Sequence, residues 1–443
     1  MKCSRRRITL VAVAVVMTLA MVATAKTTEL TFLHRTHTSE VEWAELVIEG
    51  FTKANPSIEV KLVTSPAGTA YQEKVAVMGA GGHAPDVFTG YGDKLGFIVR
   101  GFAADVTGLA ERDRAELQTN GFFPGVWDSP VFQGKRYGVP LTITTQLMFY
   151  NQDLLLKHGL PLLPTSWENT TWTWDRLLEY GKRLTVTDTD GRAQQLAITQ
   201  ATEAILPDVC WMFGGDWFAP QAYETGWVDK VTFTRPENIK AYSALVELYA
   251  SYAAAGPAKG IAAWQGFSQG KIAMDWIGGW RMGAIQDTRR GGGMTFGLAV
   301  GPPPLVQNRA NTRWTNPLFM SSTTGNPEEA WKFIKFATNQ ENQELWVEKT
   351  RLMPARRTAS QLYINGLRDV FDMSTEEIAS VIGGSVTHSR RSIEEAIFDL
   401  PLEINRRTST WLNPILAGQR PVESTLESFE ASLNAYAQEL KMR

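Results

Sequence analysis

The pattern with the sharpest catalytic meaning is Gly266-Phe267-Ser268-Gln269-Gly270, which has the spacing of a nucleophile elbow, a serine on a tight strand-to-helix turn. Its neighbours argue against that geometry. Residues 271–279 (KIAMDWIGG) read as strand and turn where a helix should begin. The one downstream histidine is His388, with Asp369 or Asp372 as its orienter. His34, His37, His83, His158 and His388 are scattered, without an H-E-x-x-H motif or paired cysteines, so no metal is expected. Gly90-x-Gly92-x-x-x-Gly96 misses dinucleotide spacing and no Walker-type phosphate loop occurs, so no cofactor is expected either. Asp188-Thr189-Asp190-Gly191 is half a calcium loop without the distal Glu and reads as a surface turn. Paired carboxylates for glycoside cleavage stay open, because 46 acids always let some pair meet in space.

Tryptophan carries a different message. Of 15 in the chain, Trp211, Trp217, Trp276, Trp280 and Trp314 stand in Gly- or Pro-rich, irregular surroundings. A flat indole packs on the apolar face of a pyranose while Asp, Asn, Gln and Arg take the hydroxyls. Any single one of these rings could equally be core filler. As a set they favour a carbohydrate-type cleft.

Such residues need elements to hold them. Alternation over Glu29–Leu33, helical spacing of Trp43, Leu46, Val47 and Phe51 behind a Ser39-x-x-Glu42 capping box, alternation at Ile58, Val60 and Leu62, a short helix near Tyr71–Met78 and a strand at 85–88 (PDVF) give strand–helix–strand–helix–strand. Short connections of this kind make a parallel, doubly wound α/β sheet, with ligands beyond the strand C-termini. Those ends are His34-Arg35, Thr64-Ser65 and Gly90-Tyr91-Gly92-Asp93. A long extended passage after Gly134 is long enough to cross between domains. Thr173 caps a helix over Trp174–Leu184, and Asn326-Pro327-Glu328-Glu329 opens another. The C-terminal third is mostly helical in pattern, and with no flexible linker the body is read as two tight lobes crossed more than once by the chain.

Length and charge agree. At 443 residues the chain exceeds what one core usually supports. With 44 Lys+Arg against 46 Asp+Glu it lacks the basic surplus that nucleic acid or an anionic membrane demands. Lys2, Arg5, Arg6 and Arg7, an apolar run from Ile8 to Val22 and Ala23-Thr24-Ala25 make residues 1–25 a cleavable signal peptide, so a periplasmic or otherwise extracytoplasmic site is expected. Its removal leaves 40 basic against 46 acidic residues, a net charge of −6. Cys3 precedes the apolar run and so cannot be a lipoprotein cysteine, and Cys210 has no partner.

Six segments, FTKANPSIEV (Phe51–Val60), GGHAPDVF (Gly81–Phe88), GKRYGVPLTITTQLMFYNQDLLLKHGL (Gly134–Leu160), TWTWDRLLEYGKRLT (Thr171–Thr185), FSQGKIAMDWIGGW (Phe267–Trp280) and NPEEAWKFIKFATNQENQ (Asn326–Gln343), stand in one order across the mature chain. Together they resemble the extracellular sugar-binding proteins of bacterial ABC importers, the group that includes the maltose-binding proteins. That resemblance implies a two-lobed periplasmic-binding-protein fold with about three hinge crossings. Lobe one would be 26–140 plus 302–348, and lobe two 141–301 plus 349–443. It further implies a monomeric, non-enzymatic receptor that closes on a carbohydrate and delivers it to permease subunits. The GxSxG match then becomes the family's turn ahead of a strand. Carried over position by position, the candidate ligand contacts are Tyr91, Asp93, Thr144 and Trp280, with His34, Arg35, Glu203, Trp217, Trp314 and His388. Thr144 and Thr89 stand where maltose-type members have an acid and an indole, which speaks against maltodextrin. A phosphate-ester ligand would draw on Arg35, Lys94, Arg281 and Arg351, and a secreted serine hydrolase on Ser268.

Overall fold

The computed structural model describes residues 27–81, 84–199, 206–252 and 261–442, which leaves the leader read over 1–25 and the candidate Glu203 outside the described residues. The expected opening unit is present. β1 (Thr28–Arg35) buries Leu30 and Phe32, and α1 (Thr38–Ala54) covers it with Trp43, Ala44, Val47 and Phe51. This helix starts two residues earlier than expected, so Ser39 and Glu42 lie inside it and the capping box does not form. His37 is the N-cap, without a side-chain cap bond. β2 (Ile58–Ser65), α2 (Thr69–Ala80), β3 (Val87–Thr89) and α3 (Lys94–Val99) follow. Both β2 and β3 run parallel to β1.

The extended passage after Gly134 becomes β4 (Gly138–Asn151), the strand on which the rest is assembled. Beyond it come α4 (Trp174–Leu184), capped by Thr173 as expected, β5 (Val186–Thr187), β6 (Ala193–Ile198), α5 (Leu206–Met212), α6 (Pro220–Thr225) and α7 (Pro236–Tyr252). Then follow α8 (Ala263–Ser268), β7 (Ile272–Gly278), α9 (Arg281–Arg290), β8 (Leu298–Gly301) and β9 (Asn311–Met320). Helices α10 (Pro327–Ala337), α11 (Gln340–Thr350) and α12 (Thr375–Thr387), strand β10 (Ser389–Arg391), and α13 (Ile393–Ala396), α14 (Leu400–Leu416) and α15 (Val422–Met442) complete the chain.

The main sheet runs β2-β1-β3-β9-β4-β7-β6-β5, with β8 added on β4 and β10 on β9. β4 changes partners halfway. From Gly138 to Thr145 it pairs with β9, and from Gln146 to Tyr150 with β7, so one unbroken strand passes from the first lobe into the second. β9 does the same in reverse, with a register shift between Asn316 and Pro317 where proline offers no N–H. A third crossing lies alongside, where Ala355 N–H donates to Leu141 O and Ile143 N–H to Met353 O.

One expectation about chemistry is met here, the strand after Gly270 in place of a nucleophile elbow, and another, the exposure of the tryptophans, changes. Ser268 ends α8, its hydroxyl donates to Gln265 O, and strand β7 follows; the order is helix to strand, the reverse of a nucleophile elbow. Trp211, Trp217 and Trp276 are only 3%, 1% and 1% exposed, so they pack the second lobe. Trp217 stacks on Phe233 at 5.0 Å, Trp211 lies under the Arg390 guanidinium, and Trp276 is inside β7. Gly and Pro around an indole did not mean exposure, because distant segments cover it.

Candidate functional site

Between the lobes the structure encloses a cavity of about 260 Å³. It lies where the doubly wound sheet of the first lobe ends, and its walls come from three sources. The first lobe brings Arg35 from the end of β1, Gln72 from α2, and Tyr91, Gly92, Asp93 and Lys94 from the turn after β3. The crossing strands bring Thr142 and Thr144 from β4 and Trp314 and Asn316 from β9. The second lobe brings Trp280, Glu394, Ile397, Leu402 and Asn405.

Two indoles dominate the apolar part. Trp280 and Trp314 meet edge to face, with centroids 5.3 Å apart and planes at 73°. Trp314 Nε1–H donates to Glu394 Oε2 at 3.1 Å, while Trp280 remains 39% exposed. Two steeply inclined π faces therefore stand beside a carboxylate, a geometry for C–H faces and hydroxyls together. The Trp280 ring lies over Gly278, where a Cβ would come within 2.1 Å of the indole Cζ3. We expect Gly278→Ala to push the ring out of register without removing it from the cavity and to weaken affinity by about tenfold, roughly 1.4 kcal/mol. Isothermal titration beside a thermal melt checks this; unchanged affinity would detach Gly278 from the site.

On the opposite wall the polar groups are fixed from behind. Glu40, fully buried on α1, accepts from Arg35 Nε at 2.6 Å and Tyr91 Oη at 2.9 Å, and Arg35 Nη2 closes a second contact to it. Burial disfavours the Glu40 carboxylate, but the hydrogen bonds and charge of Arg35, with His34 Nε2 3.3 Å away, outweigh it and hold the group at about 2. The Arg35 guanidinium in turn lies 4.5 Å over the Tyr91 ring. Asp93 caps α3 by accepting from Gly96 N–H at 2.9 Å, and pairs with Arg100 at 2.5 Å. Burial raises the Asp93 pKa, with Arg100 acting against the rise. Lys94 Nζ is 3.3 Å from Glu395 Oε1, whose other oxygen accepts from Thr315 Oγ1 at 2.8 Å. Gly92, at φ 74°, leaves the space in which the Gln72 amide lies, since a Cβ there would be 2.1 Å from Gln72 Nε2.

Of the ten candidate contacts, the cavity brings together Arg35, Tyr91, Asp93, Thr144, Trp280 and Trp314. His34 lies elsewhere: it is completely buried against Trp43 and Trp346, with Nδ1 2.7 Å from Thr89 Oγ1. Trp217 is core. His388 sits at the C-terminus of α12, stacked on Trp167 at 5.5 Å and 3.0 Å from Glu168 on the outer surface. Glu203 falls outside the described residues. Gln72, Asn316, Glu394 and Asn405 line the cavity without having been foreseen. Nothing local in the sequence marks Gln72, Glu394 or Asn405.

The family model described as bacterial extracellular solute-binding protein matches residues 36–344. The galactooligosaccharide-binding protein of Bacillus subtilis is 29% identical over 111 residues, 25% of each chain. Among solved structures, the ABC substrate-binding protein of Listeria monocytogenes in complex with cycloalternan superposes with a TM-score of 0.76 at 22% identity, covering 92% of this chain and 98% of that one. The sugar-binding protein MalE of Xanthomonas citri gives 0.75 at 18% identity, over 94% and 98%.

Proposed function

This chain belongs to the bacterial extracellular solute-binding proteins, and from that premise we propose that it captures a neutral saccharide between its lobes and presents the closed form to the permease subunits of an ABC importer. The observation that carries the reading is the edge-to-face Trp280–Trp314 pair with Glu394 at its edge, facing a wall of amide, hydroxyl and carboxylate groups. Indoles take the C–H faces of a sugar ring, and Gln72, Asp93, Asn316, Glu394 and Asn405 take its hydroxyls.

Charge favours a neutral ligand over a phosphate ester. Both cations that reach the cavity are already answered within the protein, Arg35 by buried Glu40 and Lys94 by Glu395. Of the other two candidate cations, Arg281 pairs with Asp275 at 3.1 Å and Arg351 does not line the cavity. An incoming dianion would have to break these pairs. The receptor is proposed to act as a monomer outside the cytoplasm, and among the described residues no helix is long and apolar enough to cross a membrane.

A thermal-shift screen against monosaccharides, oligosaccharides, polyols and phosphate esters tests the reading, since a ligand at 100 times its dissociation constant adds about 2.7 kcal/mol. A rise with one class of neutral sugar is the expected result. A rise with phosphate esters alone would replace the ligand class, and silence throughout would send the protein to assays for turnover of ester and glycoside chromogens.

A further inference from the structure

Beside the cavity, and sharing only Asp93 with its lining, the two lobes touch through a second set of contacts. Arg100, the residue after α3, divides its guanidinium between them. One nitrogen, Nη1, holds Asp93 of the first lobe at 2.5 Å, and Nη2 holds Asp399 at the start of α14 at 2.6 Å. The pair to Asp93 lies flat across Gly96, where a Cβ would meet Asp93 Oδ2 at 1.9 Å and Arg100 Nη1 at 2.1 Å. Asp399 is held at φ 57°, a sparsely populated conformation for a residue with a side chain, and its other oxygen accepts from Tyr436 Oη at 2.6 Å.

Apolar contact accompanies the ion pair. Phe398 lies 5.0 Å under the Arg100 guanidinium and 4.8 Å from the Trp227 ring, and its N–H donates to Gly226 O at 2.8 Å. Gly226, at φ 80°, approaches the first lobe so closely that a Cβ would stand 2.8 Å from Phe132 and 3.1 Å from Leu95. A glycine without a side chain thus lets backbone of the second lobe rest on side chains of the first.

We infer that Arg100, Asp399 and Gly226 form a closed-state clasp, with Arg100 the positioning residue that ties Asp93 in the cleft to contact between the lobes. The inference rests on the proposed closure around a ligand. Every clasp contact to the second lobe exists only when the lobes meet, so the clasp raises the closed fraction and, through it, the apparent affinity, without touching the solute. Arg100 is 37% exposed, which makes this contribution modest and sensitive to salt.

Two variants of the full protein test it. Asp399→Asn keeps the shape, tolerates positive φ and leaves the Asp93–Arg100 pair in place; Gly226→Asn also tolerates positive φ but wedges a side chain between the lobes. Small-angle X-ray scattering without added sugar is expected to give both a larger radius of gyration than the parent. The parent should itself expand on raising sodium chloride from 0.05 to 0.5 M. In titrations with glucose, galactose, maltose and raffinose, whichever binds the parent should bind Asp399→Asn about three- to tenfold more weakly, with the order of preference unchanged. Radii equal to the parent's, or an altered order of preference, would overturn the clasp. If no saccharide binds the parent at all, the saccharide reading fails while scattering still decides the clasp.

Discussion

Alanine in place of Trp280 is expected to cost roughly a hundredfold or more in saccharide affinity, about 3 kcal/mol, while the unliganded protein melts within a degree or two of its parent. The asymmetry follows from where the indole sits. It is 39% exposed, the largest ring to reach the cavity from the second lobe, and its protein contacts are an edge on Trp314 and a face over Gly278. An aromatic pair of that kind is worth about 0.5–1.5 kcal/mol beyond area, and part of it is regained as Trp314 repacks. A bound ring would lose an entire stacking face. Isothermal titration and a thermal melt on the same preparation separate the two quantities. Retained affinity would take Trp280 out of the site, and a collapse in melting temperature would make it structural.

Glu40→Gln should do the opposite, destabilising the free protein by about 3–5 kcal/mol because Arg35 keeps its charge and loses its buried counter-ion. The position is inaccessible from the cavity, yet it anchors both Arg35 and Tyr91, so affinity falls as well. Acid provides an independent check. The folded-state pKa of Glu40, about 2, lies below its ordinary 4.5. Its stabilisation, of order 3 kcal/mol, is therefore complete above pH 4.5 and is lost as pH falls from there through 2. His34, whose pKa is lowered chiefly by burial, adds a loss of the same sign that begins below its ordinary 6.5. Urea unfolding of parent and variant at pH 7, 5 and 3 should show the gap between them narrowing toward pH 3. A constant gap would mean that folding leaves the Glu40 carboxyl at its ordinary pKa.

The contrast between these two residues shows where inference from sequence reaches its limit. Both stand in strong local patterns, Glu40 in the first turn of a helix and Trp280 after a glycine pair. The helix was legible; that Arg35, Tyr91 and His34 converge on its one buried acid was not, since their separations along the chain carry no mark of contact. Sequence also could not tell Trp280 and Trp314 from Trp211, Trp217 and Trp276. All five have Gly or Pro nearby in the sequence, and burial depends on what arrives from elsewhere in the chain, such as Phe233 for Trp217.

Periodicity of two and of 3.6 residues was enough to identify the strands and helices from β1 to β3, the cap at Thr173 and the turn after β3 that carries Tyr91 and Asp93. These are local matters, settled by side-chain alternation and by which backbone groups a neighbouring residue can satisfy. Pairing of β4 with β9 and then β7, and the arrival of Glu394, Ile397 and Asn405 beside a strand some 250 residues earlier, are not local. They depend on which distant surfaces exclude water from one another, and apolar burial carries no address written into the neighbouring residues.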